Sequence, residues 1–317
     1  MQSIKNNQTV EKLILFLKKN KIKYFKNKEI KFYTTLKIGG KVSLIIIINK
    51  SNELIQLLLK VRKQQYPFIL LGGGSNVVFS DNASKLLVII NKTSDIIKLS
   101  ENLIKINSGV TINNLINWCL KNKIGGLEFL AGIPGTLGGA TAVNAGAFGK
   151  SVSDNLEKAE ILTEKGEIKI VDKKYFQFEY RNSVFKYGKE VILNVFLKYI
   201  NQNENKIKEK ITSHIRHRKQ SHPSYKCFTA GCFFKNPVKN NKRISAGKVI
   251  EMSGLKGFHN NNLLMSEIHS NFLINKGNAN FRDLIDFENK ITQEILKSEG
   301  IKLEREVIYI ASDGEKC

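Results

Sequence analysis

Apolar residues recur at helical spacing near the start of the chain. Val10, Leu13, Ile14 and Leu17 share one face of 9–19 and predict a first helix. Residues 42–48 form a nearly continuous aliphatic run, the pattern of a buried strand. Ser51 is placed to cap a helix running through Arg62. A short apolar strand at 68–71 then runs directly into three glycines. Strand, helix, strand and glycine loop together make one α/β unit.

Beyond that unit the pattern changes. Strands are predicted at 86–90 and 103–107, and Thr111 starts a helix that runs to about Lys121. Residues 125–149 are rich in glycine. Strands at 159–162 and 167–171 flank Glu164, Lys165 and Gly166, a hairpin signal, and 191–200 reads as a further strand. A highly charged helix over 202–220 marks a domain junction. The last third predicts helices at 246–252 and 281–298 and strands at 271–275 and 304–310, with Gly300 ending the long helix. No internal repeat interrupts this order.

The chain has 317 residues, 42% of them hydrophobic, enough for two or three packed cores. Its formal net charge is +23. The basic residues are spread along the chain rather than gathered in an arm with interleaved aromatics, which favours a solvated surface over a nucleic-acid partner. Such a field still helps anionic substrates arrive. Cys119, Cys227, Cys232 and Cys317 form no CxxC pair, which argues against a disulfide framework and a zinc site. His214, His217 and His222 lie among Arg216, Arg218 and Lys219, with no carboxylate or thiol at ligand spacing, so they read as a solvated basic face. Trp118 is expected in the core. The N-terminus lacks the apolar stretch of a signal peptide, and no apolar run is long enough to span a membrane. A cytoplasmic monomer without membrane insertion is expected.

Two glycine-rich runs carry candidate chemistry. Gly72, Gly73, Gly74, Ser75 and Asn76 follow a strand. Glycine permits positive φ and close backbone approach, and successive amides can cradle phosphate oxygens. A tight turn with no ligand is equally compatible, and the run is neither GxGxxG nor GxxxxGK[ST]. The second run includes Gly132, Ile133, Pro134, Gly135, Gly138 and Gly139, then Asn144 and Gly146. Chain this bare gains little from its own packing and is costly to order. A large cofactor would supply the missing contacts; close helix–sheet packing is the alternative.

These runs belong to an ordered series of motifs. TTLKIGG at 34–40 precedes LGGGSN at 71–76, followed by AGIPGTLGGATAVNAGAFG at 131–149 and YRNSVFK at 180–186. AGCFFKNP at 230–237, GLKG at 254–257, HSNF at 269–272 and LEREV at 303–307 complete it. In this order, over 34–310, the chain resembles the UDP-N-acetylenolpyruvoylglucosamine reductase family. The spacing between Tyr180 and Gly231 leaves little room for an extra substrate-capping loop, so it resembles the shorter subgroup that lacks one.

The resemblance implies an α+β chain with an FAD-binding fold of the vanillyl-alcohol-oxidase (PCMH) type. Residues 1–95 and 96–201 would be its two subdomains, and 202–317 a C-terminal α+β substrate-binding domain. It implies non-covalent FAD on the two glycine runs. NADPH would donate hydride for reduction of UDP-N-acetylglucosamine enolpyruvate to UDP-N-acetylmuramate. Hydride addition to an enol ether becomes feasible when the adjacent carboxylate is polarised and a positioned acid protonates the neighbouring carbon. By resemblance, Arg181 holds the carboxylate bidentately and Glu306 stabilises the enol form. Glu304, two residues away, is the competing assignment. Cys232 stands where most of the family has serine as proton donor. A thiol, with an ordinary pKa of ~8.5, is the stronger acid and mostly protonated at neutral pH. Lys235, Asn236 and Lys256 resemble substrate contacts. An oxidase or dehydrogenase of the same fold acting on a sugar or alcohol is the alternative, and it gives no reason for the last three motifs to recur in order.

Overall fold

A computed structural model describes residues 2–317 of the chain, with side chains from Val10 onward. It divides into two compact units, neither of them contiguous. The first gathers 2–28, Val42–Gly72 and Ser84–Lys208; the second gathers Glu29–Lys41, Gly73–Ala83 and Glu209–Cys317.

In the first unit, strands Lys41–Ile48, Leu87–Asn91 and Phe68–Leu71 run parallel as neighbours in that order. The middle strand is buried along its whole length, as a parallel strand covered on both faces must be. Helix Ser51–Lys63 connects two of these strands and buries Leu54, Leu57, Leu58 and Val61, a single stripe at helical period. Helix Gln2–Lys19 adds Leu13 and Leu17 to the same core. A second, antiparallel sheet has the order Ile168–Asp172, Leu156–Leu162, Val191–Lys198, Leu103–Asn107 and Ile96–Lys98. The expected hairpin closes it, with Leu162 opposite Ile168. Thr111 caps helix Ile112–Lys121, its Oγ1 accepting the Asn114 amide at 3.2 Å.

The second unit is built on an antiparallel sheet ordered Phe228–Cys232, Phe272–Asn275, Leu263–Met265 and His259–Asn260. Helices Ala246–Met252 and Phe281–Glu299 pack on it through Val249, Ile250, Leu284, Phe287 and Ile291. Asn280 and Asp283 form a capping box at the start of the long helix, and Gly300 ends it at φ 63°. Strand Ile308–Ile310 runs parallel to Val77–Phe79, so a segment from the first quarter of the chain belongs to this unit. Among the described residues no helix is long and apolar enough to cross a membrane.

Several local expectations are revised. Ser51 is the first residue of its helix; Lys50 holds the cap position without a side-chain bond. The closing strand is confined to Ile308–Ile310, because Arg305 pairs instead with Phe234 as an isolated bridge. Strand Lys23–Glu29, with the polar sequence KYFKNKE, gave no period-two signal. Trp118 is only half-buried, and its neighbour Cys119 takes the core position. Burial pushes the Cys119 thiol up to about 12, with Glu128 adding to the shift, which leaves it inert.

Candidate active site

The first glycine run is tightly built. A Cβ on Gly72 would lie 2.2 Å from Thr136 Oγ1. Gly74 has φ +62°, and its carbonyl accepts the Thr35 amide at 3.0 Å. Thr35 Oγ1 is buried without a hydrogen-bond partner. Such an orphaned hydroxyl costs about 1–3 kcal/mol unless a ligand satisfies it. The run ends at Asn76, whose Nδ2 donates to Glu306 O at 3.4 Å and whose carbonyl accepts the Ile308 amide at 3.0 Å.

In the second run, Gly132 and Gly135 have φ of +77° and +115°. Gly135 O accepts the Ile112 amide at 3.0 Å, while the Leu137 and Gly138 amides donate to Val110 O and Ser108 O, each at 2.8 Å. Those two amides are engaged inside the protein. A Cβ on Gly138 would lie 2.6 Å from Ser108 Cβ, and one on Gly146 would lie 2.6 Å from Lys150 O. A Cβ on Gly139 meets only Thr136 Oγ1, at an ordinary 3.6 Å. Packing thus explains Gly72, Gly138 and Gly146. Gly139 is bare without internal need. In the first unit the open Gly139 fits close approach of a large ligand, and in the second the orphaned Thr35 hydroxyl fits a ligand with hydrogen-bonding oxygens; FAD has both properties.

The YRNSVFK segment is laced onto this second run. Ser183 Oγ donates to Ala142 O at 2.6 Å, and Asn144 Nδ2 donates to Glu179 O at 3.1 Å. Asn144 Oδ1 accepts the Ser153 amide at 3.1 Å. Arg181 Nη2 donates to Gly146 O at 2.9 Å, and the guanidinium lies 5.6 Å from the Tyr180 ring centroid. The Arg181 backbone is left-handed, φ +56°. For a residue with a Cβ that costs roughly 1–2 kcal/mol, strain of the kind that gathers at functional positions. Arg181 belongs to the first unit, and Cys232 and Glu306 to the second.

Cys232 ends strand Phe228–Cys232 opposite Phe272, after a register shift that follows Thr229. Gly231, at φ +82°, makes that break possible. The next residues change partner. Phe233 N donates to Asn271 O at 2.7 Å, Glu306 N donates to Phe233 O at 2.8 Å, and Lys235 N donates to Glu304 O at 2.8 Å. The Cys232 and Glu306 segments are thereby neighbours. Glu304 has its side chain 69% exposed and paired with Lys235 Nζ at 3.1 Å, whereas Glu306 is half-buried. Asn236 Oδ1 accepts the Ala246 amide at 2.9 Å, and Lys256 Nζ pairs with Glu251 at 2.6 Å.

His222 departs from the basic face read from the sequence. Its ring packs 4.9 Å from Phe272 and 5.6 Å from His269, and His269 lies 4.9 Å from Phe272. Burial, then the positive charges of Arg218, His269 and His217, lower its pKa to about 4. Burial lowers His269 as well. Both rings adjoin the strand partner of Cys232. The HSNF motif pointed to His269; only Pro223, closing the preceding helix, hinted that His222 leaves it. Among the described residues no three metal-ligating side chains cluster.

Residues 42–172 match the family model described as FAD binding domain. With the parallel and antiparallel sheets carrying the two glycine runs, this defines an FAD-dependent oxidoreductase of the vanillyl-alcohol-oxidase type, α+β throughout. Residues 222–310 match a second model, UDP-N-acetylenolpyruvoylglucosamine reductase, C-terminal domain. The reductase of that name from Caldanaerobacter subterraneus subsp. tengcongensis is 33% identical over 97% of this chain and 98% of its own length. That of Chlamydia abortus is 34% identical over 88% of this chain and 91% of its own. The crystal structure of UDP-N-acetylenolpyruvylglucosamine reductase from Thermus caldophilus superposes with a TM-score of 0.73 at 26% identity, covering 91% of this chain and 98% of that one. The chain belongs to the UDP-N-acetylenolpyruvoylglucosamine reductase family.

Proposed function

We propose that the protein reduces UDP-N-acetylglucosamine enolpyruvate to UDP-N-acetylmuramate, a peptidoglycan precursor, with NADPH as the hydride source. Bound FAD supplies a two-electron carrier between nicotinamide and substrate. The observation that carries the reading is the pairing of the Cys232 and Glu306 segments through Phe233, which joins two motifs far apart in the sequence.

Arg181 holds the substrate carboxylate. Its guanidinium is already oriented by Gly146 O, so little freedom is lost when the carboxylate arrives. Hydride addition at the methylene carbon moves the double-bond pair onto the carboxylate, and Glu306 stabilises the resulting enolic form. Cys232 gives its thiol proton to the carbon bearing the ether oxygen, and water reprotonates the thiolate. Lys235, Asn236 and Lys256 contact the uridine diphosphate. The carboxylate partners of both lysines are exposed by half or more, and surface pairs of this kind contribute about 0–1 kcal/mol, so a diphosphate displaces them readily. Residues 1–95 and 96–201 serve as flavin subdomains and 202–317 as the substrate domain of a cytoplasmic monomer.

The test is anaerobic. NADPH bleaches the flavin absorption of purified protein, and the enolpyruvyl substrate restores it. A chain that takes up no FAD, or a reduced protein that the substrate leaves bleached, overturns the reading.

A further inference from the structure

Where the Cys232 strand changes partner, one buried side chain replaces a stretch of backbone. Asn271 is 2% exposed. Its carbonyl accepts Phe233 N at 2.7 Å, its Oδ1 accepts Phe234 N at 2.9 Å, and its Nδ2 donates to Phe234 O at 2.8 Å. These three bonds hold the two residues that follow Cys232. On its other side Phe233 O accepts the Glu306 amide, and Phe234 bridges Arg305. The Asn271 carboxamide therefore sits at the junction of the segments bearing Cys232 and Glu306.

Asn271 is itself fixed. Its amide donates to His269 Nδ1 at 3.3 Å. Ser266 Oγ accepts the amides of Ile268 and His269 at 3.1 and 3.3 Å, and Ser266 N donates to Phe272 O at 2.9 Å. The turn from Ser266 to Phe272 thus presents one carboxamide in one orientation. A carboxamide matches the donor and acceptor of a peptide group; an aliphatic side chain or an ionised carboxylate does not.

We propose that Asn271 is a positioning residue for the proton-transfer step, setting the register of Cys232 against Glu306. It touches neither the reacting carbon nor the flavin, and acts through Phe233 and Phe234. The proposal rests on the roles given above to Cys232 and Glu306. A shift of about 1 Å in a reacting group can cost on the order of 100-fold in rate, so loss of this clamp should be visible without loss of the fold.

The experiment compares Asn271→Ala, Asn271→Asp and Cys232→Ala with the wild-type FAD-bound protein. Stopped-flow absorbance follows bleaching by NADPH and reoxidation by the enolpyruvyl substrate. The rate of Cys232 alkylation by iodoacetamide across pH, read by peptide mass, reports the thiol independently of turnover. Asn271→Ala should reduce flavin at the wild-type rate, reoxidise about 10–100-fold more slowly at saturating substrate, and give a displaced alkylation profile. Asn271→Asp keeps the acceptor for Phe234 N and should fall between the two. Unchanged reoxidation and alkylation in either folded variant overturn the proposal, as does equal slowing of both half-reactions. If neither variant folds with FAD bound, Asn271 is a folding residue and the proposal fails. Cys232→Ala separates the two levels. Normal reoxidation in that variant defeats the role of Cys232 itself, whereas a block there beside normal Asn271 variants defeats only this inference.

Discussion

The Glu306 amide donates to the Phe233 carbonyl at 2.8 Å, so Glu306 and the residue after Cys232 share one hydrogen bond. The bridge between Phe234 and Arg305 extends that register by one pair. The same register carries Glu304 outward to Lys235 and leaves Glu306 half-buried beside the Cys232 segment. Arg305 is held from behind: its Nη1 and the Tyr309 hydroxyl both reach Glu288 Oε2, at 3.2 and 2.6 Å. The pair is half-buried, and its shared oxygen orients the Arg305 side chain against Tyr309.

The two kinds of glycine in the second run should behave differently. Gly139→Val meets no tight internal contact, so the variant should fold and bind FAD at least about tenfold more weakly, because a ligand then meets the new side chain. Gly138→Ala presses on Ser108 and should lose about 1–3 kcal/mol of stability whether or not FAD is present. Flavin titration and thermal melts with and without FAD check both. Full flavin affinity in Gly139→Val would remove that residue from the cofactor site.

Arg181→Lys loses the bidentate fork, and Glu306→Gln loses its ionisation. Each should slow reoxidation of the flavin by the enolpyruvyl substrate by about 10²–10³-fold, the size of effect that follows loss of one preorganised electrostatic contact. Reduction by NADPH should stay near the wild-type rate. Stopped-flow traces with both half-reactions equally impaired would point to a misplaced flavin instead.

If Cys232 is the proton donor, activity is sensitive to alkali and to oxidant. Turnover should fall through one ionisation as pH rises, because the thiolate has no proton to give. Cys232→Ser should retain some turnover and flatten that limb. Peroxide should inactivate the wild type, with bound substrate protecting, as expected of a thiol open to sulfenic acid formation. Cys119, Cys227 and Cys317 serve as controls. A pH–rate profile that superposes for wild type and Cys232→Ser would leave the donor elsewhere.

His222 should weaken the fold in mild acid. Its folded pKa, about 4, lies below the ordinary value, chiefly from burial and then from Arg218, His269 and His217. Between the unfolded value of ~6.5 and that of the folded state, the unfolded chain binds more protons, so stability is lost as pH falls through this window. Partial exposure screens the effect to on the order of 1 kcal/mol. His222→Phe keeps a ring against Phe272 and removes the titration. Urea melts at pH 7 and pH 5 should therefore converge for the variant relative to wild type; an unchanged difference would assign the acid sensitivity elsewhere.

Much of this protein is local and was legible as such. Periodicity placed helices Ser51–Lys63 and Phe281–Glu299 to within a residue or two, because each buries one stripe at 3.6-residue spacing. The hairpin around Gly166 and the stop at Gly300 follow from glycine's access to positive φ. The motifs, read in order, carried the family. Other features depend on partners distant in the chain. That 29–41 and 73–83 join the C-terminal unit is decided by long-range pairing, such as Val77–Phe79 with Ile308–Ile310. Which glycines serve packing and which are open depends on what faces each Cβ: Ser108 for Gly138, little for Gly139. His222 looks solvated among basic neighbours until Phe272 and His269 come against it. Asn271 looks like any strand residue until its carboxamide stands in for a peptide group beside Phe234. A sequence fixes what each residue can offer, but a hydrogen bond or a burial belongs to two residues at once, and folding chooses the second.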